Sequence, residues 1–137
     1  MSTRCMIEVE GNPVKLYRHS DGYPDSECGV LATLVPQVKQ FLAARGWDTE
    51  YLVARLAQWQ MNTSDQGLAE WRNNNPSPFN RAKEPECLSF GLSTEYHGDL
   101  EYVYIVKMTD KKPFIYVYEF DYQHGRPGRR IKAVALS

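Results

Sequence analysis

Polar and apolar residues alternate at the start of the chain, first over Cys5–Glu10 and again over Val14–His19. Side chains of a strand point to opposite faces in turn, so alternation of this kind is typical of a half-buried strand. The two segments are separated by Gly11-Asn12, a turn signal, and Pro13 is tolerated at the start of a strand. This pattern predicts a β-hairpin.

The pattern then changes to steps of three and four residues, which place apolar side chains on one face of a helix. The predicted buried face carries Val30, Leu31, Leu34, Val35, Val38, Phe41 and Leu42. Pro36 must kink this helix or begin a second one, because proline lacks the backbone donor. Gly46 is the expected C-cap. Asp48 or Thr49 then caps a further helix, which we expect to direct Tyr51, Leu52, Leu56 and Trp59 to the core.

The segment 62–86 is rich in asparagine and proline, which predicts a loop-rich excursion with one helical turn around Leu68–Arg72. Neither side of it is long enough for a core of its own, so we expect a single domain over residues 1–137. The C-terminal part predicts strands over Cys87–Ser93, Glu101–Met108 and Phe114–Phe120, a turn over Thr109–Lys112, and a short last strand over Ile131–Leu136. The order β-β-α-α-β-β-β predicts an α+β fold, an antiparallel β-sheet packed against two helices.

The charge and the cysteine content indicate which binding partners and which cellular compartment to expect. The 137 residues include 16 basic and 17 acidic side chains, for a net charge of −1. This balance argues against a general affinity for nucleic acid or for a membrane surface. Three widely spaced cysteines (Cys5, Cys28 and Cys87) predict buried free thiols rather than disulfides or a zinc site. With no apolar leader at the N-terminus and no long apolar run, we expect a protein of the cytoplasm.

Reactive side chains concentrate in the segment Tyr17–Asp25, at the exit of a predicted strand. It contains Tyr17, Arg18, His19, Asp21 and Tyr23, and loops at strand ends commonly carry binding groups. The same residues also have a structural interpretation, because Asp21-Gly22 and Tyr23-Pro24 are ordinary turn sequences and Tyr17 can belong to the core.

A second His-x-Asp triplet follows Tyr96, at His97 and Asp99, just before a predicted strand. In extended chain, residues two apart share a side. Two such pairs brought together fit a divalent metal, or histidines oriented by carboxylates for acid–base chemistry. The alternative is two loops with hydrogen-bonded histidines.

Two weaker features have mainly structural interpretations. Cys28 lies near a predicted helix start, where a thiolate nucleophile would need a histidine such as His19, but a small buried residue at the helix start is the favoured interpretation. The basic segment His124–Lys132 could contact phosphates, but a solvated turn before the last strand is favoured. No nucleotide-binding glycine loop and no serine-hydrolase elbow is present in the sequence.

The segments Met1–Arg4 and Tyr17–Pro24 resemble a group of small, mostly uncharacterised proteins of phages and mobile elements. Those proteins begin Met-Ser-Thr-Arg and carry a Tyr-x-His-x-Asp-Gly-Tyr-Pro loop before a helix. A later element, Gly98, Asp99, Tyr102 and Tyr104, is similar as well. The resemblance implies a phage-encoded accessory such as a counter-defence protein, but the group has no settled activity from which residue roles follow.

We therefore expect a binding protein rather than an enzyme, without a cofactor or a bound metal. Its partner would be a small anionic or nucleotide-like ligand, held by the following residues: Tyr17, Arg18, His19, Asp21, Tyr23, Tyr96, His97 and Asp99. One alternative is an anti-CRISPR-like inhibitor that binds a host defence protein. Another is a small hydrolase that uses His19 and His97, with or without metal. The sequence leaves the oligomeric state open, a homo-oligomer included.

Overall fold

The structure, a computed structural model, describes residues 3–61, 65–84 and 89–137. The strands are β1 (Cys5–Val9), β2 (Lys15–Arg18), β3 (Phe90–Ser93), β4 (Tyr102–Thr109), β5 (Lys112–Asp121) and β6 (Arg126–Ala135). The helices are α1 (Val30–Arg45), α2 (Thr49–Met61) and α3 (Asp65–Asn74), with a 3₁₀ helix over Pro78–Lys83. The predicted α+β class is confirmed, and the order of strands and helices roughly matches the prediction.

The strands form one six-stranded sheet in the order β3-β2-β1-β4-β5-β6. The predicted β1–β2 and β4–β5 hairpins are both present and antiparallel. The sheet is not wholly antiparallel, however, because β1 and β4 run parallel at its centre, with Cys5 opposite Tyr102. The strand β4 has a neighbour on each side and contributes apolar residues to both faces of the sheet.

One face of the sheet, called here the helix face, packs against α1 and α2. Its core includes Leu16 and Tyr104 from the strands, Leu34 and Val38 from α1, and Leu52 from α2. The helix α1 runs without interruption through the exposed Pro36 and ends where the N–H of Gly46 donates to the carbonyl of Leu42, at 2.9 Å. The predicted C-cap is thereby confirmed.

The opposite face of the sheet carries a smaller apolar cluster. Met6, Leu100, Val103 and Phe120 are buried in it, and Tyr17 packs against them. The loop between β3 and β4 supplies Leu100 and so covers part of this face. The candidate site lies here, on the side of the sheet away from α1 and α2.

Several local expectations were wrong. Tyr51 is 51% exposed and does not point into the core, whereas Leu52 and Leu56 do. The N-cap of α2, by contrast, is one of the two expected residues, since the side chain of Asp48 accepts from the N–H of Tyr51 at 3.4 Å. Cys28 is exposed, so it is not a buried thiol.

The boundaries of later elements also differ from the expectation. The strand β6 begins at Arg126, so the basic segment is mostly strand rather than a turn. Within 62–86, α3 is longer than the single turn predicted there, and a 3₁₀ helix follows it. Cys87 lies outside the described residues, as do 62–64. None of the described helices is long and apolar enough to cross a bilayer.

Candidate functional site

Tyr17 is the centre of the candidate site. Because neighbouring strand residues alternate, Leu16 and Arg18 point to the helix face and Tyr17 to the opposite face. Its ring stacks on His97, with centroids 4.0 Å apart and planes 15° apart. Its hydroxyl lies 2.9 Å from Nδ1 of His19 and donates to Oδ2 of Asp99 at 3.2 Å. One phenol therefore joins residues of both His-x-Asp triplets.

Arg4 completes this group, and the sequence analysis missed it. Its Nε lies 3.2 Å from Oδ2 of Asp99 and 3.4 Å from Nδ1 of His19. The signal was the register of the hairpin: Cys5 pairs with Arg18, so Arg4 comes opposite His19 one step further along. We call Arg4, Tyr17, His19, His97 and Asp99 the Tyr17 cluster.

The hydrogen bonds of the Tyr17 cluster constrain where its protons lie. An arginine N–H only donates, so when Arg4 approaches Nδ1 of a neutral His19 ring, that nitrogen is the acceptor and the ring proton is on Nε2. With Nδ1 of His19 accepting from Arg4, the Tyr17 hydroxyl is free to donate to Asp99.

Electrostatics keep Tyr17 in its neutral, donating form. Partial burial, followed by the nearby Asp99 carboxylate, raises the pKa of the Tyr17 phenol above its ordinary value. The charges of Arg4 and Asp99 offset each other, and both side chains remain partly exposed, at 34% and 47%. An added anion would therefore meet donors at the surface without facing an unopposed carboxylate.

The Asp-Gly-Tyr-Pro half of the motif, residues 21–24, stabilises the connection between β2 and α1. Asp21 has a positive φ of 55°, which aspartate tolerates better than most residues, and it accepts a hydrogen bond from Tyr23 at 3.3 Å. The carbonyls of Tyr23 and Pro24 accept from the N–H groups of Val30 and Leu31. These carbonyls satisfy first-turn donors of α1, which has no side-chain cap.

Arg18 does not lie in the Tyr17 cluster. It is only 6% exposed and sits on the helix face. Its guanidinium donates to Oε1 of Gln60 at 2.8 Å and to the carbonyl of Ser20 at 2.9 Å. Gln60 in turn donates to Gln37 of α1. Arg18 therefore belongs to a buried polar network that ties β2 to the helices, with the sheet between it and Tyr17.

Tyr96 lies on the same face as Tyr17 but has partners of its own. Its hydroxyl donates to the carboxylate of Glu8, and the ammonium group of Lys15 lies 4.9 Å from its ring centroid. Burial, followed by the hydrogen bond to Glu8, raises the pKa of Tyr96. Lys15 also donates to the carbonyls of Pro13 and Thr94, so this group of charged side chains is internally satisfied.

Of the predicted site residues, the structure thus brings Tyr17, His19, His97 and Asp99 together. Asp21 and Tyr23 form a hydrogen bond with each other. That these two residues, the four predicted residues of the Tyr17 cluster and Tyr96 contact a ligand stays a prediction. Within the ranges 3–61, 65–84 and 89–137, no three or more His, Cys, Asp or Glu side chains are grouped so as to hold a metal ion. In comparisons with known proteins, no family model, curated protein or solved structure matched the chain.

Proposed function

We propose that this protein acts by non-covalent binding and captures a small anionic, nucleotide-like ligand at the Tyr17 cluster. The observation that carries the proposal is the convergence of His19, His97 and Asp99 on one phenol. Residues from distant parts of the chain make this arrangement, and hydrogen bonds among Arg4, Tyr17, His19 and Asp99 hold it at a partly exposed surface. Such preorganised polar groups lower the cost of ordering a site when a ligand binds.

Each part of the cluster fits one part of such a ligand. Arg4 and the Nε2–H of His19 supply donors for a phosphate, and charge-assisted hydrogen bonds are the strong ones. The stacked rings of Tyr17 and His97 give a flat aromatic surface suited to a base. Asp99 supplies acceptor oxygens for a sugar hydroxyl. Asp21 and Tyr23 would then act by fixing the loop that begins with His19.

The resemblance of Tyr17–Pro24 to phage and mobile-element proteins supports a biological setting for this binding. We extend the proposal to a counter-defence accessory that acts in the cytoplasm of a host cell by withholding a ligand. That extension rests on the motif alone, and the chemistry of the Tyr17 cluster is argued independently of it.

Calorimetric titration with inorganic phosphate, pyrophosphate, AMP and a cyclic dinucleotide tests the proposal. We expect saturable binding of at least one phosphate-bearing probe. His19→Ala should weaken it about tenfold or more, the loss expected when a hydrogen bond to a charged group is removed, and His97→Ala should weaken the nucleotide probes about tenfold because the stacking surface is lost. His124→Ala is the matched control, because His124 pairs with Asp121 in the turn after β5. Melting temperatures should stay within a few degrees of wild type.

Two other functions predict different outcomes in that experiment. A small hydrolase using His19 and His97 would consume the probe, so chromatography would show product that disappears in either alanine variant. An inhibitor of a host defence protein would show no response to any probe. Loss of binding in His124→Ala but not in His19→Ala would contradict the location of the site.

A further inference from the structure

A groove of about 450 Å³ lies between α1 and α2, on the other side of the sheet from the Tyr17 cluster. Phe41 and Ala44 of α1 line one wall, and Trp59 of α2 lines the other. Its volume is within the range of about 300–1,000 Å³ that is usual for small-molecule sites. The groove is therefore large enough for a ligand of mononucleotide size.

The wall on α2 has a regular arrangement. Tyr51, Arg55 and Trp59 follow one another at intervals of four residues and so lie along one face of the helix. With a rise of about 1.5 Å per residue, the row extends over roughly 12 Å. Tyr51 was expected in the core, and its exposure leaves the ring at the rim of this groove.

At each end of the groove, an arginine guanidinium lies close to an aromatic ring. The guanidinium carbon of Arg45 lies 3.6 Å from the ring centroid of Tyr51, and that of Arg55 lies 5.8 Å from the ring of Trp59. Arg45 is also paired with Asp48 at 3.0 Å. Arg55 donates to the neutral amide of Gln58 at 2.7 Å, and no carboxylate of the described residues forms an ion pair with it.

The charge of the lining residues indicates which kind of ligand the groove would bind. Among the described lining residues, Arg45 and Arg55 are the charged ones, so the walls are cationic and aromatic. Arginine both stacks on rings and binds phosphate or carboxylate through paired N–H groups. A neutral apolar ligand would make no hydrogen bond to the Arg55 guanidinium, and a purely inorganic anion would make no contact with the rings.

We infer that this groove is a second binding site, which takes an aromatic ring bearing a phosphate, of the size of a mononucleotide. The ring packs against Trp59 and the phosphate meets Arg55, with Arg45 and Tyr51 closing the other end. The inference is independent of the function proposed for the Tyr17 cluster, because the two sites share no residue.

Tryptophan fluorescence reports on this groove alone if Trp59 is the only tryptophan. The chain contains three, so the protein to use is the full chain with Trp47→Phe and Trp71→Phe. The probes are AMP, adenosine and inorganic phosphate. We expect saturable quenching by AMP, with adenosine and phosphate each weaker by about tenfold or more, because each lacks one of the two interactions.

Arg55→Gln in the same background should weaken AMP about tenfold and bring it close to adenosine, the loss of one charge-assisted hydrogen bond. Arg129→Gln is the matched control, since Arg129 is an exposed arginine paired with Glu119 on the sheet. His19→Ala should leave the quenching unchanged, which separates this site from the Tyr17 cluster.

Three results would overturn the inference: no saturable response to AMP, equal responses to AMP and adenosine, or an unchanged response in Arg55→Gln. A saturable response to a Glu-Tyr-Glu peptide without one to AMP would also overturn it, and would identify the groove as a site for acidic peptide. Circular dichroism of each variant confirms that it is folded before it is titrated.

Discussion

At Gly22 the chain passes so close to β1 that no side chain fits. A Cβ there would lie 2.8 Å from the carbonyl oxygen of Thr3 and 2.9 Å from the Cβ of Cys5. The N–H of Gly22 donates to that same Thr3 oxygen at 2.9 Å, and its own carbonyl accepts from the buried hydroxyl of Tyr104 at 2.6 Å. The glycine of the motif is thus explained by packing rather than by ligand chemistry.

The Tyr104 contact predicts a measurable loss of stability. Tyr104→Phe leaves the Gly22 carbonyl without its buried donor, so we expect unfolding free energy to fall by about 1–3 kcal/mol in a urea titration. Tyr122→Phe, at a 62% exposed position, is the control and should stay within about 0.5 kcal/mol of wild type. If the Tyr104→Phe and Tyr122→Phe proteins were equally stable, the hydrogen bond from Tyr104 to the Gly22 carbonyl would not contribute to the unfolding free energy.

The described cysteines should differ sharply in reactivity. Burial raises the pKa of the Cys5 thiol to about 12, whereas Cys28 is exposed. In a Cys87→Ser background, Ellman's reagent should modify one thiol quickly and the second only after denaturant is added, because the thiolate is the reactive form. Adding Cys28→Ser should remove the fast phase. Two fast thiols in the folded protein would show that Cys5 is accessible.

Sequence reasoning at this scale failed where it used proximity in sequence. Each His-x-Asp triplet was expected to have both side chains on one side, being two apart, but Asp21 has a positive φ and pairs with Tyr23 instead of joining His19. Arg18 was included among the ligand-binding candidates, but alternation turns it to the helix face. Arg4 was missed because its role depends on the register with β2, which the residue pattern leaves open.

At the scale of elements, an ion pair connects α3 to the chain that follows it. Arg72 donates two hydrogen bonds to the Glu84 carboxylate, at 2.9 and 3.0 Å. These bonds are the largest cause of the lowered pKa of Glu84, and Arg81 adds a smaller effect. The ion pair therefore connects α3 with the end of the 3₁₀ helix.

This ion pair predicts a dependence of stability on pH. Because the pKa of Glu84 is lower in the folded state than in the unfolded chain, its contribution is complete above about pH 4.3, the ordinary value for glutamate, and is lost as pH falls through the folded pKa. Urea titrations should show wild type more stable than Glu84→Gln near neutrality, with the gap closing in acid.

Asn73→Ala is the control for that series, since Asn73 is an exposed residue of the same helix with no titrating side chain. Its difference from wild type should change little with pH. A gap between wild type and Glu84→Gln that stays constant down to acid pH would mean that protonation of Glu84 has no part in it.

The local sequence pattern predicted most of the helices and strands. It did not predict which strands lie next to each other in the sheet. The α1 face was predicted correctly because seven apolar residues repeat at helical spacing. The start of β6 was missed because its first half carries arginines, proline and glycine, which read as a turn. The parallel pairing of β1 with β4 was missed because alternation identifies a strand without identifying the strand beside it.

At the scale of the whole molecule, most of the buried apolar surface lies between the sheet and α1 and α2. Phe41 is 7% exposed and belongs to that core. Phe41→Ala should therefore lower the unfolding free energy by roughly 3–5 kcal/mol in a denaturant titration, through lost burial and the cavity left behind. Lys39→Ala, at an exposed position of α1, is the control. A loss below about 1 kcal/mol for Phe41→Ala would contradict the packing described for α1.

The parallel pairing of β1 with β4 at the centre of the sheet also affects folding during synthesis. Synthesis releases β1 first, yet the strand that covers its second edge is β4, from the last third of the chain. Until β4 leaves the ribosome, the hairpin of β1 and β2 has an unpaired inner edge, and α1 and α2 have only half a sheet to pack on. Contacts so distant in sequence close slowly. We therefore expect the sheet to be completed only after the C-terminal strands are synthesised, and until then the edge of β1 is an unpaired surface open to pairing with other chains.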